Sequence, residues 1–312
     1  MRQSLLVSLL MLCGLAAEAK PLTATMGANP FPADELVDGS TGDAARCATL
    51  PIAVWVTVDG KGDCIRAYGA GLTQGSNPNV LVYLSGDRLA GRRILGGYEK
   101  DSPDSLQADV DRWARQAGMP YLFLARPGTH GSSGDHAQRR RPREGRLVDA
   151  ALQALKARYA IGTFHLAGQS GGGGLVANML NVRADIGCAV AASGAVAVNL
   201  RAQLLNRSKD TTGYTDSYDP VAHVKDIARR PGLRIFVLSD RSDQAVPFKS
   251  QEHYVAELRK HGFAPIHIEL TARGALHHDL VAFAKPALVW CAQGKTDSEI
   301  ETALKAMDRQ KR

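Results

Sequence analysis

Residues that could share one reaction lie far apart in this chain. Gly168-Gln169-Ser170-Gly171-Gly172 follows a short apolar run and precedes a helical one. Ser170 is therefore expected on a sharp strand-to-helix turn, with its hydroxyl exposed at the edge of a sheet. The glycines on either side suit a turn in which a Cβ would strike the neighbouring strand or helix. Such a turn could also serve only for close packing, or hold a phosphate at the helix N-terminus. What distinguishes these uses is whether partners exist. A serine hydroxyl is a weak nucleophile until a base takes its proton, and the base needs a carboxylate to orient it.

Both partners are present after the serine, in the order Asp then His. Asp243 stands in Asp243-Gln244-Ala245-Val246-Pro247, beyond the apolar run 233–238. Asp240 is its competitor, but it lies closer to the strand end, where it would cap or brace the loop. The histidine comes from Gly274-Ala275-Leu276-His277-His278-Asp279-Leu280. Adjacent histidines cannot both face one serine. We favour His278, two residues before the leucine that opens the last long helix, with His277 as a flanking residue or the alternative base; both could instead be surface histidines at a helix cap. Two backbone donors would hold the developing oxyanion. One is the N–H of Gly171, and the other comes from the turn after residues 80–84, at Asp87 or Arg88. His130, His136, His165, His223, His253, His261 and His267 read as loop, strand or helix-surface residues. The chemistry needs no cofactor and no metal, and no pair of these histidines has ligand spacing.

The elements that must position these residues can be read from hydrophobic period. Residues 52–58 and 64–68 alternate as strands around an Asp59-Gly60-Lys61-Gly62 turn, which predicts an antiparallel hairpin. Residues 80–84, 121–125, 164–169, 188–192, 233–238 and 266–270 are apolar strands. Between and after them, residues 106–117, 143–159, 171–180, 250–260 and 280–291 carry helical patterns. Alternation of continuous apolar strands with helices predicts a mostly parallel sheet covered on both faces, opened by the antiparallel hairpin. In such a sheet the site lies beyond the carboxyl ends of the strands.

From about residue 80 to 291 the chain resembles the α/β-hydrolases, closest in pattern to secreted serine esterases and prolyl-oligopeptidase-like peptidases. The residues carrying the resemblance are Gly168 to Gly172, the Asp243-x-x-Val246-Pro247 loop and the His278-Asp279-Leu280 loop. Arg126 to Gly134 also resembles the family's R-x-G-x-G-x-S loop, with one extra residue between the glycines. Ser85-Gly86 stands where many members have His-Gly, which leaves the second oxyanion donor open. The resemblance implies an α/β-hydrolase fold and an acyl-enzyme mechanism. The expected activity is cleavage of carboxylic esters by a secreted serine hydrolase. A serine peptidase is the alternative, and a non-catalytic binding protein on the same scaffold is a third reading.

A chain of 312 residues, 45% of them hydrophobic, can bury the core of one large domain. Residues 1–19 read as a signal peptide: Arg2, an apolar run, then Ala17-Glu18-Ala19 with cleavage near Ala19. That predicts a secreted or periplasmic protein. The apolar run is too short for a comfortable membrane span, so no stable membrane anchor is expected, although Cys13 admits a lipoprotein reading. Residues 20–45 read as an irregular leader laid over the surface, 46–293 as the catalytic domain with a short cap at 195–231, and 294–312 as a polar helix or tail. Tyr214 and Tyr218 would line the site or sit exposed on a turn. In an oxidising compartment the four remaining cysteines favour disulfides. Cys47 and Cys64 flank the predicted hairpin and pair first; Cys188 and Cys291 then pair by elimination or stay as buried thiols. The net charge of +7 comes largely from Arg139, Arg140, Arg141, Arg143 and Arg146 with Arg309, Lys311 and Arg312. Without interleaved aromatics these read as a solvated loop and a frayed tail, leaving attraction to acidic cell-surface polymers as the residual role. The expected partner is a small ester or short peptide, with no nucleic acid; the pattern sets no oligomeric state.

Overall fold

Alternation within single strands decides which layer each apolar residue joins. In the strand Asn77–Leu84, Val80, Val82 and Leu84 pack into one hydrophobic layer, while Leu81 and Tyr83 enter the layer on the opposite face. This is the two-residue period of a strand buried on both sides. The computed structural model describes residues 20–23 and 25–310; the predicted signal peptide and Cys13 lie outside the described residues.

The amino-terminal elements are β1 (Lys20–Pro21), α1 (Ala33–Asp38), β2 (Ser40–Thr41) and α2 (Ala44–Ala48), followed by the hairpin β3 (Ala53–Val58) and β4 (Lys61–Ala70). Next come β5 (Asn77–Leu84), the small pair β6 (Leu89–Ala90) and β7 (Arg93–Ile94), α3 (Pro103–Ala117), β8 (Tyr121–Leu124) and α4 (Pro142–Arg158). The second half contains β9 (Ile161–Gln169), α5 (Gly171–Val182), β10 (Ile186–Ala192), α6 (Val198–Leu204), β11 (Arg234–Ser239), α7 (Phe248–Lys260), β12 (Ile266–Glu269), α8 (Val281–Ala292) and α9 (Asp297–Arg309). Eight strands form the main sheet in the order β12-β11-β10-β9-β5-β8-β4-β3. Neighbours from β12 to β8 are parallel, and β4 runs antiparallel to both β8 and β3. Leu147, Val148, Ala151, Leu152 and Leu155 of α4 and Leu175, Val176 and Met179 of α5 cover one face. On the other lie Leu106 and Val110 of α3 and Phe283, Ala287 and Leu288 of α8. The expected sheet, hairpin and two-sided helical cover are all present.

Two disulfides tie distant parts of this sheet to its cover. Cys47 on α2 joins Cys64 on β4, and Cys188 on β10 joins Cys291 on α8. The sequence separations are 17 and 103, so chain-entropy arguments assign them about 3 and about 5 kcal/mol.

The leader differs from the irregular surface segment expected. Phe31 and Leu36 are buried in the core beside Tyr68 and Tyr98, and Leu22 packs beside Cys47 and Cys64. Isolated apolar residues among Pro, Gly and Asp show no period, so their burial leaves no pattern to read. The tail contains a true helix: Thr296 and Glu299 form a capping box for α9, whose Ile300 and Leu304 are buried with α8.

Candidate active site

Ser170 sits between the last residue of β9 and the first of α5, with φ 57° and ψ −118°. Those angles are strained for a residue with a Cβ and hold only because the surroundings fix them. Its N–H donates to the carbonyl of Ala192 at 2.9 Å, and its own carbonyl accepts from Gly174 and Ala195 at 3.0 Å each. The flanking glycines are sterically required. A Cβ on Gly168 would lie 2.3 Å from the Gly172 carbonyl, and one on Gly172 would lie 2.2 Å from the carbonyl oxygen of Leu84. On the other side Gly86 abuts the serine: a Cβ there would lie 3.3 Å from that of Ser170.

The loops after β11 and β12 bring Asp243 and His278 together. Asp243 is 6% exposed, and its Oδ1 accepts N–H bonds from Ala245 at 2.9 Å and Val246 at 2.8 Å. His278 Nδ1 lies 3.0 Å from Oδ1 and 2.9 Å from Oδ2 of the same carboxylate. Since an ionised carboxylate only accepts, Nδ1 carries the proton and Nε2 presents its lone pair. Asp240 does something else: its carboxylate accepts from the N–H groups of Ser242 and Ala272 at 2.7 Å each, which ties the β11 loop to the β12 exit. His277 has φ 50°, its side chain is 45% exposed, and its Nδ1 lies 3.6 Å from Asp240. The left-handed turn at His277 lets two adjacent histidines point to different acids.

The turn after β5 holds the two backbone N–H groups expected as alternatives, those of Asp87 and Arg88. The Arg88 N–H donates to His136 Nε2 at 3.0 Å, so it is already committed. Among the described residues the N–H groups of Asp87 and Gly171 make no hydrogen bond. The Asp87 carboxylate packs against the elbow, where a Cβ on Gly171 would lie 2.0 Å from Oδ1.

Here the basic loop departs from expectation. Arg139 and Arg140 are 4% and 7% exposed, and together with the fully buried Arg126 they surround Asp87. Arg126 also pairs with Glu144 at 2.8 Å, and Arg140 with Asp210 at 3.0 Å. Acids from three distant positions pay for burying these guanidiniums, and no local pattern announces that convergence. Arg141 and Arg146 do remain near solvent, paired with Asp216 and Asp59. Burial by itself would raise the Asp87 carboxyl, but Arg140, Arg139 and Arg126 outweigh it and hold the group well below the usual range. Three of the histidines read as loop or strand residues are buried as well: His130, His136 and His165. His130 sits edge-on to Phe31 and Phe123, and burial pushes its imidazole down to about 4. His136 is also held well below its usual value, by burial and then by the charge of Arg126.

No family model matches the chain, and no curated protein matches it. Solved structures do. An esterase of Pyrococcus furiosus, Pf2001, aligns over 90% of this chain and 99% of its own at TM-score 0.55 and 14% identity. Est1E from Butyrivibrio proteoclasticus, with ferulic acid bound, aligns over 81% of this chain and 100% of its own at TM-score 0.53 and 14% identity. The acylaminoacyl peptidase of Pyrococcus horikoshii aligns over 75% of this chain at TM-score 0.52 and 11% identity, and this chain spans 38% of that protein. The chain has the α/β-hydrolase fold.

On this α/β-hydrolase scaffold the segment between β10 and β11 lies beside the elbow and is fastened down. Asp219 accepts from the N–H groups of Val198 and Asn199, at 2.7 and 3.2 Å, at the start of α6. Arg201 of α6 donates to the Ala245 carbonyl at 2.9 Å, joining this segment to the Asp243 loop. Tyr214 lies under the Arg141 guanidinium, whereas Tyr218 accepts from Asn181 and stacks on His223. Both tyrosines seat the segment.

Proposed function

We propose that the chain is an exported serine hydrolase that cleaves carboxylic esters through an acyl-enzyme. Ser170 attacks the carbonyl, His278 takes its proton and later returns it to the leaving alcohol, and Asp243 holds the imidazole in the required tautomer. The N–H groups of Gly171 and Asp87 stabilise the oxyanion. Water then repeats the sequence on the acyl-serine. The observation that carries this reading is the strained elbow at Ser170 together with the two-oxygen contact of Asp243 with His278 Nδ1.

Esters are favoured over peptides for two reasons. An alcohol leaves with less help than an amine, and the neighbours aligned over nearly their whole length include esterases and a protein holding ferulic acid. A peptidase reading is supported by the acylaminoacyl peptidases, matched over 38% of their length. The paired cysteines and the apolar amino terminus support export to an oxidising compartment.

A fluorophosphonate probe should label the purified protein, and Ser170→Ala should abolish labelling. Labelling that survives the substitution would overturn the nucleophile assignment. Short-chain nitrophenyl esters should turn over well ahead of peptide anilides; comparable rates would move the assignment to peptidase.

A further inference from the structure

We propose that Gln169 is a positioning residue that sets the separation between nucleophile and base; this rests on the serine-hydrolase reading of the same site. Gln169 is the last residue of β9 and is 6% exposed. Its side-chain amide donates to the His278 carbonyl at 2.6 Å and accepts from the Leu280 N–H at 3.2 Å. These two bonds straddle Asp279 and grip the main chain on both sides of it. Arg273 closes the loop on itself through main-chain bonds with His278 and Asp279, and toward the acid Asp243 holds the imidazole while the Gln244 N–H donates to the Leu276 carbonyl at 3.0 Å. These last two contacts fix His278 relative to Asp243. Gln169 fixes it relative to Ser170, because it is covalently joined to the serine.

The span from serine to histidine is thus bridged by one side chain with a donor at one corner and an acceptor at the other. The residue type follows from that requirement. Leucine or methionine could fill the volume but would leave a carbonyl and an N–H without partners. An ionised glutamate would keep the acceptor for Leu280 and present a second acceptor to the His278 carbonyl. A protonated glutamate would restore both bonds. Because displacement of a catalytic group by about 1 Å can slow a reaction roughly 100-fold, loss of the bridge should act on kcat.

The test compares wild type, Gln169→Met and Gln169→Glu by the second-order rate of fluorophosphonate labelling and by kcat and KM on nitrophenyl acetate across pH. Gln169→Met is expected to lower both the labelling rate and kcat by about 10–100-fold, with KM changed by less than about threefold. The ratio of Gln169→Glu to wild-type activity should rise as pH falls and the carboxyl takes up a proton, a trend that general loosening of the fold would not produce. If Gln169→Met does not fold, that pH-dependent ratio alone decides. A methionine variant within about threefold of wild type, a loss confined to KM, or a glutamate ratio that stays flat or falls with decreasing pH would overturn the proposal. If wild type is labelled at Ser170 and these outcomes occur, the positioning role alone fails; if wild type is not labelled, the catalytic reading fails with it.

Discussion

Asp87, on one side of Ser170, is gripped by three buried guanidiniums, those of Arg126, Arg139 and Arg140. His278, on the other, is held by one carboxylate and by a neutral hydrogen bond from the buried Gln169, with Leu276 and His277 exposed beside it. The first arrangement is a network of full charges out of water, where removing one member strands the others. The second is a set of separable contacts, any of which can be lost while the loop keeps its fold. Substitutions on the Asp87 side should therefore be read in stability, and those on the His278 side in rate.

The sharpest way to break this contrast is Asp243→Asn. It should lower kcat/KM by about 1,000–10,000-fold while the melting temperature moves by only a few degrees. A variant within tenfold of wild type would transfer the orienting role to Asp240. Next in size is Asp87→Ala. Stranding the guanidiniums should cost about 3–5 kcal/mol, on the order of 10 °C in melting temperature for a domain of this size. An unchanged melt would show that the network is replaceable by water.

A smaller, pH-dependent effect follows from the buried histidines. The imidazole of His130 is lowered from 6.5 to about 4, and that of His136 is lowered as well. Between those values the unfolded chain binds more protons than the folded one, so stability rises with pH through this window and is lost as pH falls from about 6.5 toward 4. Asp87, held well below 3.8, stays ionised throughout. Thermal melts at pH 7 and 4.5 should differ accordingly, and His130→Gln should flatten the slope; an equally steep variant would remove His130 as a cause. The smallest effect is expected for His277→Ala, which should leave kcat within about threefold of wild type, as befits a half-exposed side chain paired loosely with Asp240. If His277→Ala is crippled and His278→Ala is active, the base has been assigned to the wrong neighbour.

Much of the α/β-hydrolase fold was legible in the chain. Fully apolar strands such as 80–84, alternating with amphipathic helices such as 143–159, are local signals of a covered parallel sheet, and the structure contains both. Ser170, Asp243 and His278 were legible as candidates because their residue types suit the proposed chemistry and their loops follow recognisable strands. The second oxyanion donor of the proposed mechanism was read only as far as a choice of two, Asp87 or Arg88, since a backbone N–H leaves no trace in sequence. That choice narrows once the Arg88 N–H is found bonded to His136. Arg139 and Arg140 were misread because a run of arginines looks solvated until its acids are known. Gln169 appeared only as the variable position of a five-residue pattern.

What the sequence by itself determined is therefore what depends on near neighbours: strand and helix period, the glycines that permit the elbow, the chain order of Ser170, Asp243 and His278, and the cysteines available to pair. Tertiary structure alone decided which histidine meets Asp243, which backbone donor stays free, and how buried guanidiniums are neutralised. Each of those depends on groups far apart in the chain, such as Asp87 with Arg140 or Gln169 with His278, whose meeting is set by the packing of the sheet and has no local signature.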